Sequence, residues 1–236
     1  MSYPIKYPTP QGANIQIFQA PARVTTNAWG SEWVKPQGAS FVWFTLIGAG
    51  GGSDSTATTL TGGGSGAVTN FMCPAFLIPD ILQVRVGVGG DGSSGLNGQE
   101  SEIFYQQKNT SGYLLLSAGG GFGGGTTSAG GTAMTANYFT AMGFFQSVAG
   151  QAGINGAQSA STTTFLSGGS YAGTVTGNYG YSNSASGIFQ MQPIIVGTGG
   201  GSSTPKRGGV GCGGGGIGGT AGQSTGGDGM AVIITW

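Results

Sequence analysis

The chain has 236 residues, enough for one sizeable domain, and its composition is dominated by 53 glycines, with no histidine and only 6% charged residues. An average soluble domain carries about 25% charged residues, and disorder of the usual kind needs low hydrophobicity with high net charge, so this chain fits neither class. Seven basic and seven acidic residues balance to zero, which leaves no basic stripe to neutralise phosphates and excludes nucleic acid as an expected partner.

Residues 1–28 read as an extended N-terminal arm. Pro4, Pro8, Pro10 and Pro21 restrict the backbone and remove donors, around one short alternating stretch at Asn14–Phe18. An arm of this kind can dock on a neighbouring subunit or lead into the sheet as a strand. The N-terminus has no apolar signal core, and no apolar run approaches membrane-spanning length, so neither a signal of its own nor membrane insertion is expected.

Strand signals follow from residue 29 onward. Phe41 to Ile47 is a continuous apolar run ended by Gly48, the pattern of a central strand covered on both faces. Gly66 to Cys73 is a second candidate, stopped by Pro74. Leu82 to Val88 alternates, with Leu82, Val84, Val86 and Val88 on one face and Arg85 on the other. Ser101–Gln107 and Tyr113–Ser117 look like two arms of a hairpin, and Met230–Trp236 predicts a closing strand. Asp91-Gly92 and Asp228-Gly229 read as turns. The best residual helix candidate, Met134 to Val148, lacks three-four apolar spacing and is set aside.

Residues 109–205 hold no charged residue at all. The region 119–228 is rich in glycine runs, among them Gly119 to Gly125 broken only by Phe122, and Gly208 to Gly219 broken by Val210, Cys212 and Ile217. Glycine does not recur at every third position, which excludes collagen. A flexible linker would not scatter Phe139, Phe144, Phe145, Phe165, Ile188 and Phe189 through the same region. The expectation is packed, extended segments whose missing side chains let backbones approach and hydrogen-bond to one another.

Chemistry is poorly served by these residues. Without histidine there is no Ser-His-Asp or Cys-His site and no ordinary catalytic zinc site. Gly48 to Ser53 follows a strand, but Ser53 stands where a dinucleotide fingerprint needs its third glycine, and no helix follows. Glu100 and Glu102 can share one strand face, where two carboxylates are usually solvated edge charges. Asp54, Asp80, Asp91 and Asp228 lack calcium-loop spacing. The chain is therefore expected to be no enzyme, with no cofactor and no metal. Cys73 and Cys212, far apart, are expected as free, partly buried thiols. The remaining binding candidates are aromatics among small polar neighbours: Tyr171, Tyr179 and Tyr181, with Phe122 in its glycine run. They serve equally as contacts to a sister subunit.

Five segments in order carry a resemblance: Trp33-x-x-Pro36-x-Gly38 with the strand running into Gly48–Gly52, Gly62–Gly66, Val84–Gly90, Ser117–Gly121, and Gly226–Ile234. Over about residues 29–236 the chain resembles the glycine-rich domain of phage tail-fibre and tail-tip proteins. The resemblance implies an all-β sandwich or jelly-roll-like sheet with long glycine-rich loops on one side, whose runs pack in some such adhesins as polyglycine-II-like helices. It implies a virion protein, made in the host cytoplasm, that acts as a tail-fibre tip or spike in host attachment. It does not imply catalysis. Expected partners are other virion proteins through residues 1–28, sister copies (a trimer by analogy with virion appendages), and a host-surface glycan or outer-membrane protein. A non-adhesive capsid decoration or assembly subunit is the competing reading.

Overall fold

The computed structural model describes residues 12–20, 30–53, 62–92, 95–105, 113–124, 129–155, 170–172, 208–214, 216–217 and 225–236. Strands form where apolar and β-branched residues concentrate. They are β1 (Asn14–Gln19), β2 (Ser31–Val34), β3 (Phe41–Ile47), β4 (Val68–Pro74), β5 (Ile81–Arg85), β6 (Ser101–Tyr105), β7 (Tyr113–Ala118) and β8 (Phe144–Val148). The chain continues with β9 (Ile154–Asn155), β10 (Ser170–Ala172), β11 (Gly216–Ile217) and β12 (Met230–Thr235). One antiparallel sheet runs β1-β12-β3-β4-β8 and a second runs β2-β5-β6-β7, with β9, β10 and β11 making a small parallel sheet of their own. The helix candidate at 134–148 is instead a 3-10 turn at Thr140–Met142 followed by β8.

The two large sheets pack face to face as a sandwich. Trp33, Leu82, Val84, Ile103 and Leu116 from one sheet meet Val42, Phe44, Leu46, Phe71 and Ile233 from the other, all buried. Trp33 sets its edge against Phe44 at a centroid separation of 6.0 Å, and Thr69 Oγ1 crosses the core to donate to the Ser117 carbonyl at 2.7 Å. The expectation for β3 holds on both faces. Its other side joins Ile47, Val68, Met230, Val232 and Ile234 to Cys212 from a glycine-rich segment, with Trp43 against them. Both cysteines are buried and unlinked.

Antiparallel register brings one end of every large strand to a common plane. Ile47 pairs with Val68 and Met230, Val68 with Val148, Arg85 with Glu102, and Ser101 with Ala118. Beyond that plane the strands continue as glycine-rich segments, bonded to one another backbone to backbone. The strand expected over 82–88 therefore stops at Arg85, because Val86 to Gly92 already belongs to this layer.

Hydrogen bonding in the layer repeats every three residues. Gly48 and Gly51 donate to Ala67 and Gly64, both at 2.9 Å. Ala49 and Gly52 donate to Gln99 and Leu96 at 3.0 and 2.9 Å, and Gly50 donates to Gly227 at 2.9 Å. Carbonyls of the same stretch accept from Gly90, Gly121, Gly124 and Gly214, so segment 48–52 is bonded to six neighbouring segments. Segment 63–67 follows the same rule. Gly63 and Gly66 donate to Gly214 and Gly211, Gly64 and Ala67 to Phe122 and Gly119, and Ser65 to Gln151. Three residues per turn with no internal hydrogen bond is the geometry of a polyproline-II-type helix. The segments thus form a polyglycine-II-like lattice, built as much from 48–53, 62–66, 86–92 and 95–99 as from the region after 119.

Glycine is required here by space. A Cβ at Gly50 would collide with the Cys212 carbonyl, and one at Gly51 with the Phe122 carbonyl. Side chains tie the lattice to the sandwich at the seam: Ser101 Oγ donates to the Ile47 carbonyl (2.7 Å) and accepts from the Gly87 amide (3.0 Å). Asp228 accepts from the Gly89 amide at 2.9 Å. Asp228-Gly229 is thus extended backbone leading into β12, not the expected turn, because its carboxylate is engaged across segments.

Two stability tests follow. Gly50→Ala should cost about 3 kcal/mol or more by urea unfolding, because backbone on both sides blocks relaxation. Gly38→Ala, where φ is +80° but nothing lies within 4 Å, should cost only about 1–2 kcal/mol. Burial pushes the Cys73 thiol up to about 11 from its ordinary 9.0. Its contribution is fully present below the unfolded value and is lost as pH rises through the folded one. Urea stability should therefore fall between pH 9.0 and about 11 by roughly 2–3 kcal/mol more in wild type than in Cys73→Ala.

Candidate functional site

The lattice has an outer end, opposite the sandwich. At that end the described segments reach Ser53, Gly62, Gly92, Gly95, Gly124, Ala129, Gly208 and Thr225. These residues and their neighbours are bonded together. Gly52 receives Gly124 and donates to Leu96, Leu96 donates to Asp91, and Gly63 donates to Gly214. Phe122 donates to Ala129, and Gly208 to Thr225. The described lattice segments therefore meet at one surface, a tip whose backbone is held by its own hydrogen bonds.

The electrostatics of the tip are nearly blank. Among its described residues the charged one is Asp91; Asp228 lies at the seam, where it accepts from the Gly89 amide. Among all described residues, no three of His, Cys, Asp and Glu gather to hold a metal ion. What the tip offers is carbonyls, amides, hydroxyls and a few apolar side chains, a surface suited to binding by shape and hydrogen bonding.

The sequence-derived candidates fall at different places. Phe122 lies on the lattice and is 39% exposed, with its own amide and carbonyl bonded to Ala129 and Gly64. Tyr171 sits in β10, whose backbone pairs in parallel with β9 and β11. β9 continues the lattice segment ending at Gly153, and β11 continues the one ending at Gly214, so Tyr171 belongs to the tip by its backbone. Tyr179 and Tyr181 lie outside the described residues. Sequence reasoning missed Leu96, 54% exposed, on the segment that bonds 119–124 through Gly98 to Gly121 and through Gly123 to Asn97 Oδ1 at 2.8 Å. The available signal was Leu96-Asn97 between Gly95 and Gly98, a break in a glycine frame like Phe122 in its own.

Glu100 and Glu102 lie elsewhere, on the sandwich. Both meet Arg85, whose Nη2 is 3.3 Å from Glu100 Oε1 and 2.5 Å from Glu102 Oε2. The Glu102 side chain is only 5% exposed, so it is a buried, paired carboxylate and not the solvated edge charge expected from its strand position.

At the opposite pole, strand ends and turns expose large apolar side chains: Val34, Phe76, Ile81, Tyr113, Tyr138 and Met142. The molecule is therefore polarised, with a charge-poor tip at one end and, at the other, exposed apolar side chains beside the Lys35–Asp80 ion pair.

Comparison with known proteins adds one finding. No curated protein matches the chain. The family described as "Glycine-rich domain" matches residues 25–236, which takes in both sheets from β2 onward and the whole described lattice. On that match, the chain belongs to the glycine-rich domain family.

Proposed function

We propose that this protein is a virion structural protein, a tail-fibre tip or spike, whose lattice tip attaches to a host surface. The observation that carries the reading is the convergence of the described lattice segments on one charge-poor surface opposite the sandwich, held by backbone hydrogen bonds. A rigid scaffold presenting variable connections at one end is how binding loops are generally positioned. The lattice suits that task because its order comes from backbone bonds, so connecting sequences can change without disturbing a side-chain core. The near absence of charge favours a glycan or an outer-membrane protein as the ligand, read by tyrosines and backbone groups. Tyr171, Tyr179, Tyr181 and Phe122 are the contacts we assign to it.

In this reading residues 1–28 and the apolar pole mount the subunit on other virion proteins, and the protein reaches the virion from the host cytoplasm. It performs no chemistry of its own and needs no cofactor. The competing role, a decoration or assembly subunit, uses the same pole and leaves the tip without a ligand.

Binding of purified protein to intact candidate host cells separates the two. The intact chain should bind. A form in which residues 173–207 are replaced by a short Gly-Ser linker should lose binding while keeping its β-sheet circular dichroism. Tyr171→Ala combined with Phe122→Ala should weaken binding at least tenfold, about 1.4 kcal/mol. An intact chain that binds no cell from a broad host panel, yet still assembles, would reverse the assignment in favour of decoration.

A further inference from the structure

We propose that β1 is a self-association edge, at which a second copy of this chain pairs antiparallel across a two-fold axis passing through Gln16. β1 is the outermost strand of the five-stranded sheet, and among the described residues it pairs only with β12. It lies before the family match, which begins at residue 25, so it is a strand added to the edge of the shared domain.

Natural sheets guard such edges with charge, proline, bulges or very short strands. β1 has none of these: Asn14–Gln19 contains no charged residue and no proline, and its six positions pair with β12 in unbroken register. The other sheet edges differ. β2 carries Glu32, β7 borders a register irregularity at Ile103/Phe104, and β8 is half-buried along all but its first residue.

The strand is also self-complementary. Ile15 and Ile17 pair with Ile234 and Val232 on one sheet face and remain 40% and 55% exposed. A two-fold that continues both sheet faces must set odd-numbered residues opposite odd-numbered ones, since side chains alternate with period two. Centred on Gln16, the pairing places Ile15 against the partner's Ile17 and Ile17 against the partner's Ile15. Gln16 then meets the partner's Gln16 on the other face. Two apolar cross-strand pairs flank one amide pair, with no charge to desolvate. The contact is isologous and closes as a dimer, so it does not run on into a fibre.

The test uses the full-length chain. Light scattering after gel filtration should give a dimer mass within roughly 1–100 µM, a range set by an ordinary transient contact. Ile15→Lys/Ile17→Lys puts like charges opposite one another and should raise the dimer Kd about tenfold or more. Thermal unfolding should change little, because both side chains are exposed. Gln16→Cys should give a covalent dimer with a short bis-maleimide, whereas Gln19→Cys, away from the axis, should not. Cys73 and Cys212 are buried and contribute little background. A chain that stays monomeric across the range, with no cross-link through residue 16, overturns the proposal. A dimer untouched by the double lysine variant and not cross-linked at residue 16 overturns it equally, and assigns the contact to another surface.

Discussion

Backbone amides that donate in three directions, residue by residue, are the interaction on which the rest of this structure depends. Segment 48–52 reaches three neighbours through its amides and three more through its carbonyls, and the amides of segment 63–67 repeat the pattern. Such a lattice leaves no room for a Cβ at most of its interior positions, buried Ala49, Ser65 and Ala67 being exceptions, which accounts for much of the 53-glycine composition. It also excludes charge, since a segment surrounded by other backbones has nowhere to solvate a carboxylate or an ammonium group. The unusual composition and the unusual packing are thus one constraint seen at two levels.

Glycine loses more conformational entropy on folding than any other residue, and a lattice of glycine segments has little apolar area to offset that loss. The sandwich supplies what the lattice lacks. Its core of Phe44, Leu46, Phe71, Leu82, Ile103 and Leu116 fixes the strand ends in one plane. From that plane each glycine segment starts already positioned against its neighbours. Ser101 and Asp228 carry the alignment across the seam by binding amides of Gly87 and Gly89. Lattice order is therefore borrowed from strand register, and a change at the seam is felt at the tip.

The sandwich was legible in sequence because its strands follow ordinary rules. The apolar run at Phe41–Ile47 became a strand, the alternation at Leu82–Val88 one that stops at Arg85, and the closing run at Met230–Trp236 one that ends at Thr235. β8 was missed because Phe144-Phe145-Gln146-Ser147-Val148 does not alternate, and its pairing with β4 spans some seventy positions in sequence. The lattice was legible as a kind of packing but not as a map. Glycine carries no side-chain pattern, so nothing in Gly62-Gly63-Gly64 says that Gly63 meets Gly214 while Gly64 meets Phe122. Phe122 was readable as an interruption in a glycine run, and Leu96 was readable by the same logic. The pairing of Glu102 with Arg85 was hidden, because burial of a carboxylate depends on the opposite strand.

Hydrogen exchange resolved at single glycine amides reaches the central claim most directly. If the lattice is held by inter-segment backbone bonds, the amides of Gly51, Gly64 and Gly121 should be protected to within about tenfold of Phe44 in β3, about 1.4 kcal/mol in opening free energy. The exposed turn at Gly38 should exchange freely by comparison. Exchange of Gly51, Gly64 and Gly121 at unstructured rates, with Phe44 still protected, would show a sandwich bearing loose glycine loops and would contradict the account.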